Sequence, residues 1–257
     1  MIPWFQIQAV GIWFVKLNVW GMFVSFGFLA GMAVSYFEFK KRKLEANRVY
    51  DLAFWIILCS MIGGRLFFVA EHLDVYLAAP LDILKLWHGG MSIYGGFIGA
   101  VLAGIIYFKK NKLGFWQYAD AAIFGLPIGL FIGRLGCFLI HDHPGIRTNF
   151  FLGVAYPDGI RHDLGLYDSL AGLFIFLVFL IFHRKEWFRG FYLSVFCVLY
   201  GAIRFFLDFF RVRDAVGADL RYFGLTLAQY LSVALFVAGI YLFCKLRAKK
   251  QQVISNF

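Results

Sequence analysis

Three arginines inside long apolar stretches are the residues of this sequence best suited to chemistry. Arg65, Arg134 and Arg204 are each surrounded by mainly hydrophobic residues. A charge inside a bilayer costs about 3 kcal/mol or more, so a residue of this kind predicts a functional site. Because guanidinium groups stay charged and can donate two parallel hydrogen bonds, they suit a phosphate group. We therefore predict that the three arginines lie at one depth and bind the phosphate of a lipid headgroup.

An alternative is that each arginine has a separate structural role. It would then extend to the membrane surface or form half of an ion pair. Asp208 follows Arg204 at the i, i+4 spacing of such a pair. Three arginines at one level, close to glycine-rich backbone, favour a shared binding site over three independent structural roles.

Glycine-rich segments near the arginines indicate backbone that lines a cavity. The segment HGGMSIYGGFIG, residues 88–99, places two glycine pairs around a short polar stretch. Irregular backbone at membrane depth is tolerated only where it lines a cavity or is buried in protein. We expect Ser92 and Tyr94 to point into the same cavity as the arginines. Small residues four apart also let helices approach closely in a membrane, and this pattern occurs at Gly125, Gly129 and Gly133.

Histidine and aspartate cluster after the second buried arginine. His141 and His143 flank Asp142, and His162 follows in the same connection. Two histidines with no third ligand at fixed spacing are a weak metal signal, so we expect neither a metal nor another cofactor. Acid–base chemistry or hydrogen bonding to a headgroup suits histidines that titrate near neutral pH. Cys137 is either a nucleophile or, as we favour, a small residue packed between helices.

The composition indicates that membrane-spanning helices position these residues. Of 257 residues, 61% are hydrophobic and 16% are charged, with a formal net charge of +10. This excludes a disordered chain and argues against a soluble nucleic-acid binder, which carries its basic charge on a polar surface.

We predict one all-α integral membrane domain covering residues 1–257. About seven apolar stretches approach the ~20 residues that cross a bilayer: 19–37, 52–70, 92–108, 118–140, 167–183, 190–210 and 224–244.

The remaining residues form connections and a terminal segment. The longest connection is predicted at 141–166. The N-terminal stretch contains Trp4, Phe5, Trp13 and Phe14. It is interpreted either as an amphipathic segment in the membrane interface or as an ordered terminus that contacts headgroups.

The basic residues predict the orientation of the chain. Fifteen lysines and arginines fall in the odd-numbered connections and the C-terminal tail, and seven fall on the other side. Basic residues accumulate in cytoplasmic loops. We therefore place the C-terminus in the cytoplasm and the N-terminus outside, which requires an odd number of spans.

Several motifs, in order, resemble those of the prolipoprotein diacylglyceryl transferase family. The segment IGRLGCFLIHDHPG, residues 132–145, resembles the family signature GRxGNFxNxExxG. Trp20 and Gly21 stand where the family usually has Tyr-Gly in its first helix. Further segments resemble GGxSxHGGxxG, RHPSQLYE, the arginine-bearing sixth helix and GxSxxQxLS, in that order: 89–99, 161–168, 200–211 and 224–232. The resemblance spans most of the chain.

The resemblance implies a reaction. The family transfers the diacylglyceryl group of phosphatidylglycerol to the lipobox cysteine thiol of a prolipoprotein, forming a thioether and releasing glycerol phosphate. The implied partners are phosphatidylglycerol, prolipoprotein signal peptides and membrane lipids, with no nucleic acid. The implied setting is the bacterial inner membrane, with the active site toward the periplasm.

The resemblance also implies roles for individual residues. Arg134 and Arg204 would grip the phosphate, and Asp208 would orient Arg204. Arg65 stands where the family has a basic residue, Asp142 where it has glutamate, and His162 where it has histidine. The loop-shaping glycines of the signature would be Gly133, Gly136 and Gly145.

Departures from the family pattern leave the chemistry of the thiol open. Tyr94 replaces a histidine that is a natural general base, and a tyrosine with a pKa near ~10 is a poor base at neutral pH. Cys137 and Ile140 replace two asparagines. Asp142 and Asp208 are each one methylene shorter than glutamate. If the reaction is retained, His141, His143 or His162 supplies the base, or stabilisation of the phosphate suffices without one.

Two other functions are compatible with a site for an anionic lipid. One is a phosphatidylglycerol-dependent transferase with a different acceptor. The other is a transporter of a lipid anion that uses the arginines as its binding site. Transporters commonly contain paired repeats with interrupted helices, and we find no internal repeat in this sequence.

Overall fold

The computed structural model describes residues 1–12, 15–85, 89–212 and 220–255. Trp13, Phe14 and His88, which were named above, lie outside these residues, as does Arg213, one of the seven basic residues predicted to lie outside the cytoplasm.

Helices dominate the described part of the chain, and their lengths match a bilayer. Seven apolar segments are long enough to cross a membrane. Each overlaps one predicted stretch, so the prediction of an all-α multi-pass membrane protein is confirmed. The helices are α1 Val19–Lys41, α2 Arg48–Glu71, α3 Leu73–Ala78, α4 Ile93–Lys110, α5 Phe115–Ile123, α6 Leu126–Ile140, α7 Leu164–Phe182, α8 Phe191–Leu207 and α9 Leu227–Ser255.

Two of the seven spans are composite. The fourth combines α5 and α6, which are separated at Phe124 and Gly125. Pro127 lies in the first turn of α6, where its missing N–H would be unpaired in any case. The sixth combines α8 with a short 3-10 turn, Asp208–Phe210. This turn ends the span and places Asp208 one helical turn beyond Arg204.

The connection predicted at 141–166 contains a small antiparallel sheet. Its strands are β3 Pro144–Arg147, β4 Val154–Tyr156 and β5 Gly159–Asp163, in the order β3-β5-β4. The β4–β5 turn is Pro-Asp-Gly, and Gly159 has a φ of +131°, a conformation that favours glycine. This sheet was not predicted from the sequence. Asp163, at the end of β5, also caps α7 by accepting a hydrogen bond from the Leu166 N–H at 3.0 Å.

The N-terminal segment packs against this sheet as an ordered, extended chain. Ile2 forms a parallel bridge with Val154, and the Ile7 N–H donates to the Leu139 carbonyl at 3.0 Å. A hairpin follows, formed by strands at Ala9–Ile12 and Val15–Asn18. Of the two interpretations above, the ordered terminus describes this segment, and its described part contains no helix before α1.

The chain forms two compact units. The first comprises Met1–Glu38 and Asp120–Phe257, and the second comprises Phe39–Ala119. In the first unit glycines bring helices together: a Cβ on Gly125 would lie 2.0 Å from the Gly31 carbonyl oxygen. In the second, a Cβ on Gly95 would lie 2.2 Å from the Gly63 carbonyl oxygen. The close packing predicted for Gly125 is confirmed.

Candidate active site

A carboxylate on α7 joins two of the three predicted arginines. Asp168 Oδ2 lies 3.6 Å from Arg134 Nε, and Asp168 Oδ1 lies 3.5 Å from Arg204 Nη1. Arg134 comes from α6 and Arg204 from α8, so three helices of the first unit meet here. Arg204 Nη1 is buried and makes no hydrogen bond with the described residues.

Asp208 connects this pair to a third arginine. Its Oδ1 lies 3.3 Å from Arg204 Nη2 and 3.2 Å from Arg211 Nε. The side chain is fully buried. The i, i+4 ion pair between Arg204 and Asp208, which the alternative interpretation expected, is present. The joined group of Arg134, Arg204, Arg211, Asp168 and Asp208, called here the arginine cluster, contains three arginines and two carboxylates.

The start of α9 supports Asp208 through a capping box. The Thr226 N–H donates to Gln229 Oε1 at 3.0 Å, and the Gln229 N–H donates to Thr226 Oγ1 at 3.2 Å. This reciprocal pair satisfies backbone donors at a helix N-terminus. The Thr226 hydroxyl also donates to Asp208 Oδ2. Both side chains are almost completely buried, so the cap of α9 and the arginine cluster share one hydrogen-bond network.

The end of α6 carries a buried histidine held by an aspartate. His141 Nδ1 lies 2.6 Å from Asp163 Oδ2, and the Tyr156 hydroxyl donates to the same oxygen at 2.7 Å. Trp4 stacks on the His141 ring, with centroids 4.8 Å apart. Burial and the Asp163 charge raise the pKa of Tyr156, so it remains a neutral donor. These contacts attach the N-terminal segment to the end of the helix that bears Arg134.

His141 and His143 point to different partners. His143 Nδ1 lies 3.6 Å from Asp142 Oδ1, whereas His141 is occupied by Asp163. Desolvation raises the pKa of Asp142, and the neighbouring His143 acts in the opposite direction. Potential ligand atoms of Cys137, Asp142 and His143 lie within 4.8 Å of one another. Arg134 Nη1 lies 4.0 Å from Cys137 Sγ.

His162 lies in an aromatic pocket at the end of β5. Its Nδ1 is 2.7 Å from the Tyr167 hydroxyl oxygen, and its ring centroid is 4.6 Å from that of Phe210. Burial lowers the pKa of His162. A neutral imidazole with a lowered pKa is suited to accept a hydrogen bond or to act as a weak base.

The three signature glycines have different surroundings. A Cβ on Gly133 would meet no atom within 4 Å, so this face of α6 borders open space. A Cβ on Gly136 would lie 2.7 Å from Phe23 Cβ, and one on Gly145 would lie 2.6 Å from the Phe210 carbonyl oxygen. Gly136 and Gly145 thus permit close packing, and Gly133 leaves room beside Arg134.

In the second unit, backbone carbonyls surround Arg65. Its guanidinium donates to the carbonyl oxygens of Asp82, Ile83, Gly89 and Gly90 at 2.5 to 2.9 Å. The residue is 4% exposed. A guanidinium with these partners holds a loop together, and its phosphate contact stays a prediction. Gly89 and Gly90 both have a φ of +78°, which directs their carbonyls toward Arg65.

Ser92 and Tyr94 lie at the start of α4, beside this loop. Ser92 occupies the N-cap position, and its backbone N–H donates to the Gly64 carbonyl at 2.9 Å. Tyr94 is in the first turn of the helix. The structure therefore confirms that the glycine-rich segment forms the entry to a helix, while a cavity shared with Arg134 and Arg204 stays a prediction.

Four contributors to this site were not predicted from the sequence. Asp168 lies in the segment 161–168, and a carboxylate inside an apolar span is as conspicuous as an arginine. Arg211 ends the segment 200–211 and contacts Asp208. The capping box was readable as Thr-x-x-Gln before an apolar run. The partner of Asp163, His141, lies 22 residues away in sequence, so the pair becomes apparent only when the sheet is known.

The arrangement suits the binding of an anionic group such as a phosphate by Arg134 and Arg204. Cations that are held in place by carboxylates can stabilise a leaving group that gains negative charge.

Comparison with known proteins agrees with the resemblance. The family model for prolipoprotein diacylglyceryl transferase matches residues 8–245. A phosphatidylglycerol–prolipoprotein diacylglyceryl transferase of Desulfotalea psychrophila is 35% identical over 252 residues, covering 93% of this chain and 90% of the relative. Proteins of the same name from Solidesulfovibrio magneticus and Pseudomonas fluorescens are each 33% identical, covering 95% and 94% of this chain and equal shares of the relatives.

Proposed function

The chain belongs to the prolipoprotein diacylglyceryl transferase family, and we propose that it transfers the diacylglyceryl group of phosphatidylglycerol to prolipoproteins. The acceptor is the thiol of a lipobox cysteine that follows a membrane-embedded signal helix. The products are a thioether-linked lipoprotein precursor and glycerol phosphate. This is an enzymatic group transfer in which both substrates reach the site from the membrane.

The position of two arginines on one carboxylate is the observation that carries the assignment of the site. Asp168 brings the guanidinium groups of Arg134 and Arg204 together from two different helices. Arg204 Nη1, which makes no hydrogen bond with the described residues, is the donor proposed to bind a phosphate oxygen. Arg134 is proposed to bind the same phosphate beside the open space at Gly133.

The leaving group determines the role of the cluster. When the carbon–oxygen bond of the diacylglyceryl group breaks, the electron pair passes to a phosphate oxygen, and the phosphate gains a second negative charge. Fixed cations stabilise that charge more in the transition state than in the bound lipid. Asp168 and Asp208 act by holding the guanidinium groups in position.

The remaining predicted residues keep proposed roles around the phosphate. Asp142 and His162 lie in the connection that follows α6. We propose that they contact the glycerol headgroup there. Ser92 and Tyr94 are proposed to line the same cavity. The carbonyl partners of Arg65 favour a role in shaping the loop that precedes these two residues. Gly136 and Gly145 keep the surrounding backbone close.

The proposed setting is the inner membrane of a bacterium, with the site facing the periplasm. Seven spans combined with the distribution of basic residues support an external N-terminus and a cytoplasmic C-terminus. Residues 1–257 are proposed to act as a single transferase domain.

Complementation tests the function. The gene would be expressed in bacterial cells depleted of their own diacylglyceryl transferase, and mature lipoprotein and growth would be measured. We expect both to recover. Failure to recover with membrane-inserted protein would contradict the proposal. A lipid-modified product other than a prolipoprotein, identified by mass spectrometry, would instead indicate a different acceptor.

A further inference from the structure

Two membrane-spanning helices end with nearly the same six residues. Residues 39–44 read Phe-Lys-Lys-Arg-Lys-Leu at the end of α1, and residues 108–113 read Phe-Lys-Lys-Asn-Lys-Leu at the end of α4. Five of the six positions are identical. Both segments belong to the second compact unit. They are called here the twin lysine caps.

The first cap ends α1 with a Schellman motif. The Leu44 N–H donates to the Phe39 carbonyl at 2.9 Å, and the Lys43 N–H donates to the Lys40 carbonyl at 3.1 Å. This pair of bonds satisfies carbonyls that have no partner within the helix. The lysine side chains are therefore not needed to cap the last turn.

The second cap ends α4 with the same two bonds. The Leu113 N–H donates to the Phe108 carbonyl at 2.9 Å, and the Lys112 N–H donates to the Lys109 carbonyl at 3.1 Å. The two caps therefore agree in backbone structure as well as in sequence.

Each cap has a lysine at the position where glycine is usual. Lys43 and Lys112 have φ values of 55° and 52°, the left-handed conformation that closes a Schellman motif. A residue with a Cβ adopts this conformation at a cost, and glycine does not. An unfavourable backbone conformation kept at two equivalent positions indicates that the side chain has a use. Both lysines are exposed.

The two caps lie side by side on one apolar support. The rings of Phe39 and Phe108 both contact the ring of Tyr118 on α5, with centroid distances of 5.4 and 6.2 Å. All three side chains are buried. Arg48, in the first turn of α2, donates to Asn111 Oδ1 of the second cap at 3.2 Å. The lysines of both caps therefore belong to one surface.

This surface is strongly basic. Residues 38–51 and 108–117 together contain eight basic and three acidic residues. One of the acidic residues, Glu45, is paired with Arg48 at 2.9 Å. Six exposed lysines belong to the caps: Lys40, Lys41, Lys43, Lys109, Lys110 and Lys112.

The location of this surface suits a membrane lipid. It lies where two membrane-spanning helices end, so long lysine side chains place their ammonium groups at the depth of lipid headgroups. Tyr50 is exposed and Trp116 is half-buried in the helices that follow the two caps, and such rings are enriched at the membrane–water interface. Lysine clusters next to a membrane span attract anionic lipids.

We propose that the twin lysine caps bind the phosphate groups of anionic lipids at the membrane surface where α1 and α4 end. Lysine suits this role because its ammonium group is a flexible point charge with three donors. The site uses none of the residues proposed to act in the transfer reaction. The bound lipid does not react there, so the proposal goes beyond the proposed function and does not depend on it.

Lipid binding is tested on the full-length protein purified in detergent. Phosphatidic acid and phosphatidylcholine of equal chain length would be titrated, and native mass spectrometry would count the bound lipids and give their affinities. We expect phosphatidic acid to bind more tightly and its affinity to fall as salt increases. The double variant Lys43→Gly with Lys112→Gly should bind it about 30-fold more weakly, since each lysine near an anionic lipid contributes about a fivefold factor.

The same double variant separates lipid binding from folding. Because glycine is favoured at both positions, the variant should unfold at a temperature at least as high as that of wild type. If it unfolds at a lower temperature, Lys40→Gln with Lys109→Gln provides a second variant, because these two lysines lie within regular helix. It should also weaken the binding of phosphatidic acid.

Lys249→Gln with Lys250→Gln is the matched control, because these exposed lysines of α9 remove the same charge outside the caps. This variant should bind phosphatidic acid as wild type does. Arg134→Ala should also retain the lipid bound at the caps, which distinguishes it from a lipid at the proposed active site. Three results would overturn the proposal: equal affinity of wild type for the two lipids, equal losses in the cap and control variants, or complete loss of binding in Arg134→Ala.

Discussion

A carboxylate shared by two arginines keeps both guanidinium groups in place without cancelling their combined charge. Asp168 lies at 3.5 and 3.6 Å from Arg204 and Arg134, longer than a strong hydrogen bond. Burial makes the arrangement effective, because charges interact more strongly where water is excluded.

Replacing either arginine of the pair should stop catalysis without removing the protein from the membrane. Arg134→Ala and Arg204→Ala should each lower the rate by about 100-fold or more, the cost of losing a donor that stabilises transition-state charge. Arg134→Lys should also be poor, because lysine cannot form the bidentate contact. The measurement is transfer to a prolipoprotein per molecule of inserted protein. Arg147→Ala, at an exposed arginine of β3, should retain activity, and full activity in both alanine variants at the site would contradict the phosphate assignment.

His162 should make stability depend on pH. Burial lowers its pKa in the folded protein below the ordinary value of 6.5, so the unfolded chain takes up a proton that the folded protein resists. The free energy of unfolding should therefore fall as pH decreases from about 6.5 through the lowered pKa. Thermal unfolding in detergent across this range should show the loss, and His162→Gln should remove this component. Identical pH profiles of the two proteins would contradict the burial effect.

Single residues differed in how far the sequence predicted them. Arg204 and Asp208 were paired by their spacing, since a helix brings i and i+4 together. Asp168 was visible as an acid in an apolar span, but its two partners lie on other helices and no spacing rule connects them. Cys137 and His143 are close because α6 ends at His141 in a left-handed conformation, with a φ of 50°. That reversal could not be predicted from the sequence.

The beginning of α9 shows how one element controls another. The Thr226 hydroxyl belongs to its capping box and also donates a hydrogen bond to Asp208. Asp208 in turn forms ion pairs with Arg204 and Arg211. The helix therefore starts where it can orient the charges on the end of α8. A cap of this kind contributes about 1 kcal/mol to stability, and here it also fixes the carboxylate.

Removing the Thr226 hydroxyl should reduce activity as well as stability. Thr226→Val keeps the shape of the side chain but removes a donor to Asp208, and a cost of about 1.4 kcal/mol in the transition state lowers the rate about tenfold. Thr226→Ser should restore most of the rate. In the same helix, Ser232→Ala is the control, because the Ser232 hydroxyl donates to the Ala228 carbonyl within the helix itself. Equal rates for Thr226→Val and Ser232→Ala, measured at saturating lipid, would contradict the positioning role.

Helices were predictable and the small sheet was not, for a physical reason. A span must be apolar over about 20 residues, and this signal is strong for α2 and α7. The three strands between α6 and α7 have three to five residues each, too few for a clear alternation of polar and apolar residues. The Pro157-Asp158-Gly159 turn was a usable signal, because proline and glycine at these positions favour a tight turn.

At the scale of the whole molecule, the formal charge of +10 has two separable parts. Most basic residues lie at the ends of spans, in the connections or in the C-terminal tail, where we expect them to determine orientation. The arginines within the spans bind carboxylates or carbonyls inside the protein. The net charge alone does not separate the basic residues near the ends of spans from the arginines inside them. The positions of these residues within the helices do.

The orientation can be tested with reporters fused to the chain. A fluorescent protein that matures only in the cytoplasm should be active at the C-terminus, and a reporter that requires export should be inactive there. The predicted excess of fifteen over seven basic residues on the cytoplasmic side is the physical reason. An exported C-terminus would overturn the orientation and with it the periplasmic placement of the site.

The central claim is tested most directly by transfer with purified components. The wild-type protein would be incubated with phosphatidylglycerol and a prolipoprotein in vesicles, and the product would be analysed by mass spectrometry. We predict that one diacylglyceryl group is added to the lipobox cysteine by a thioether bond, that glycerol phosphate is released in equal amount, and that Arg134→Ala yields neither. Folded wild-type protein that produces no thioether, or an Arg134→Ala variant that produces as much as wild type, would contradict the account.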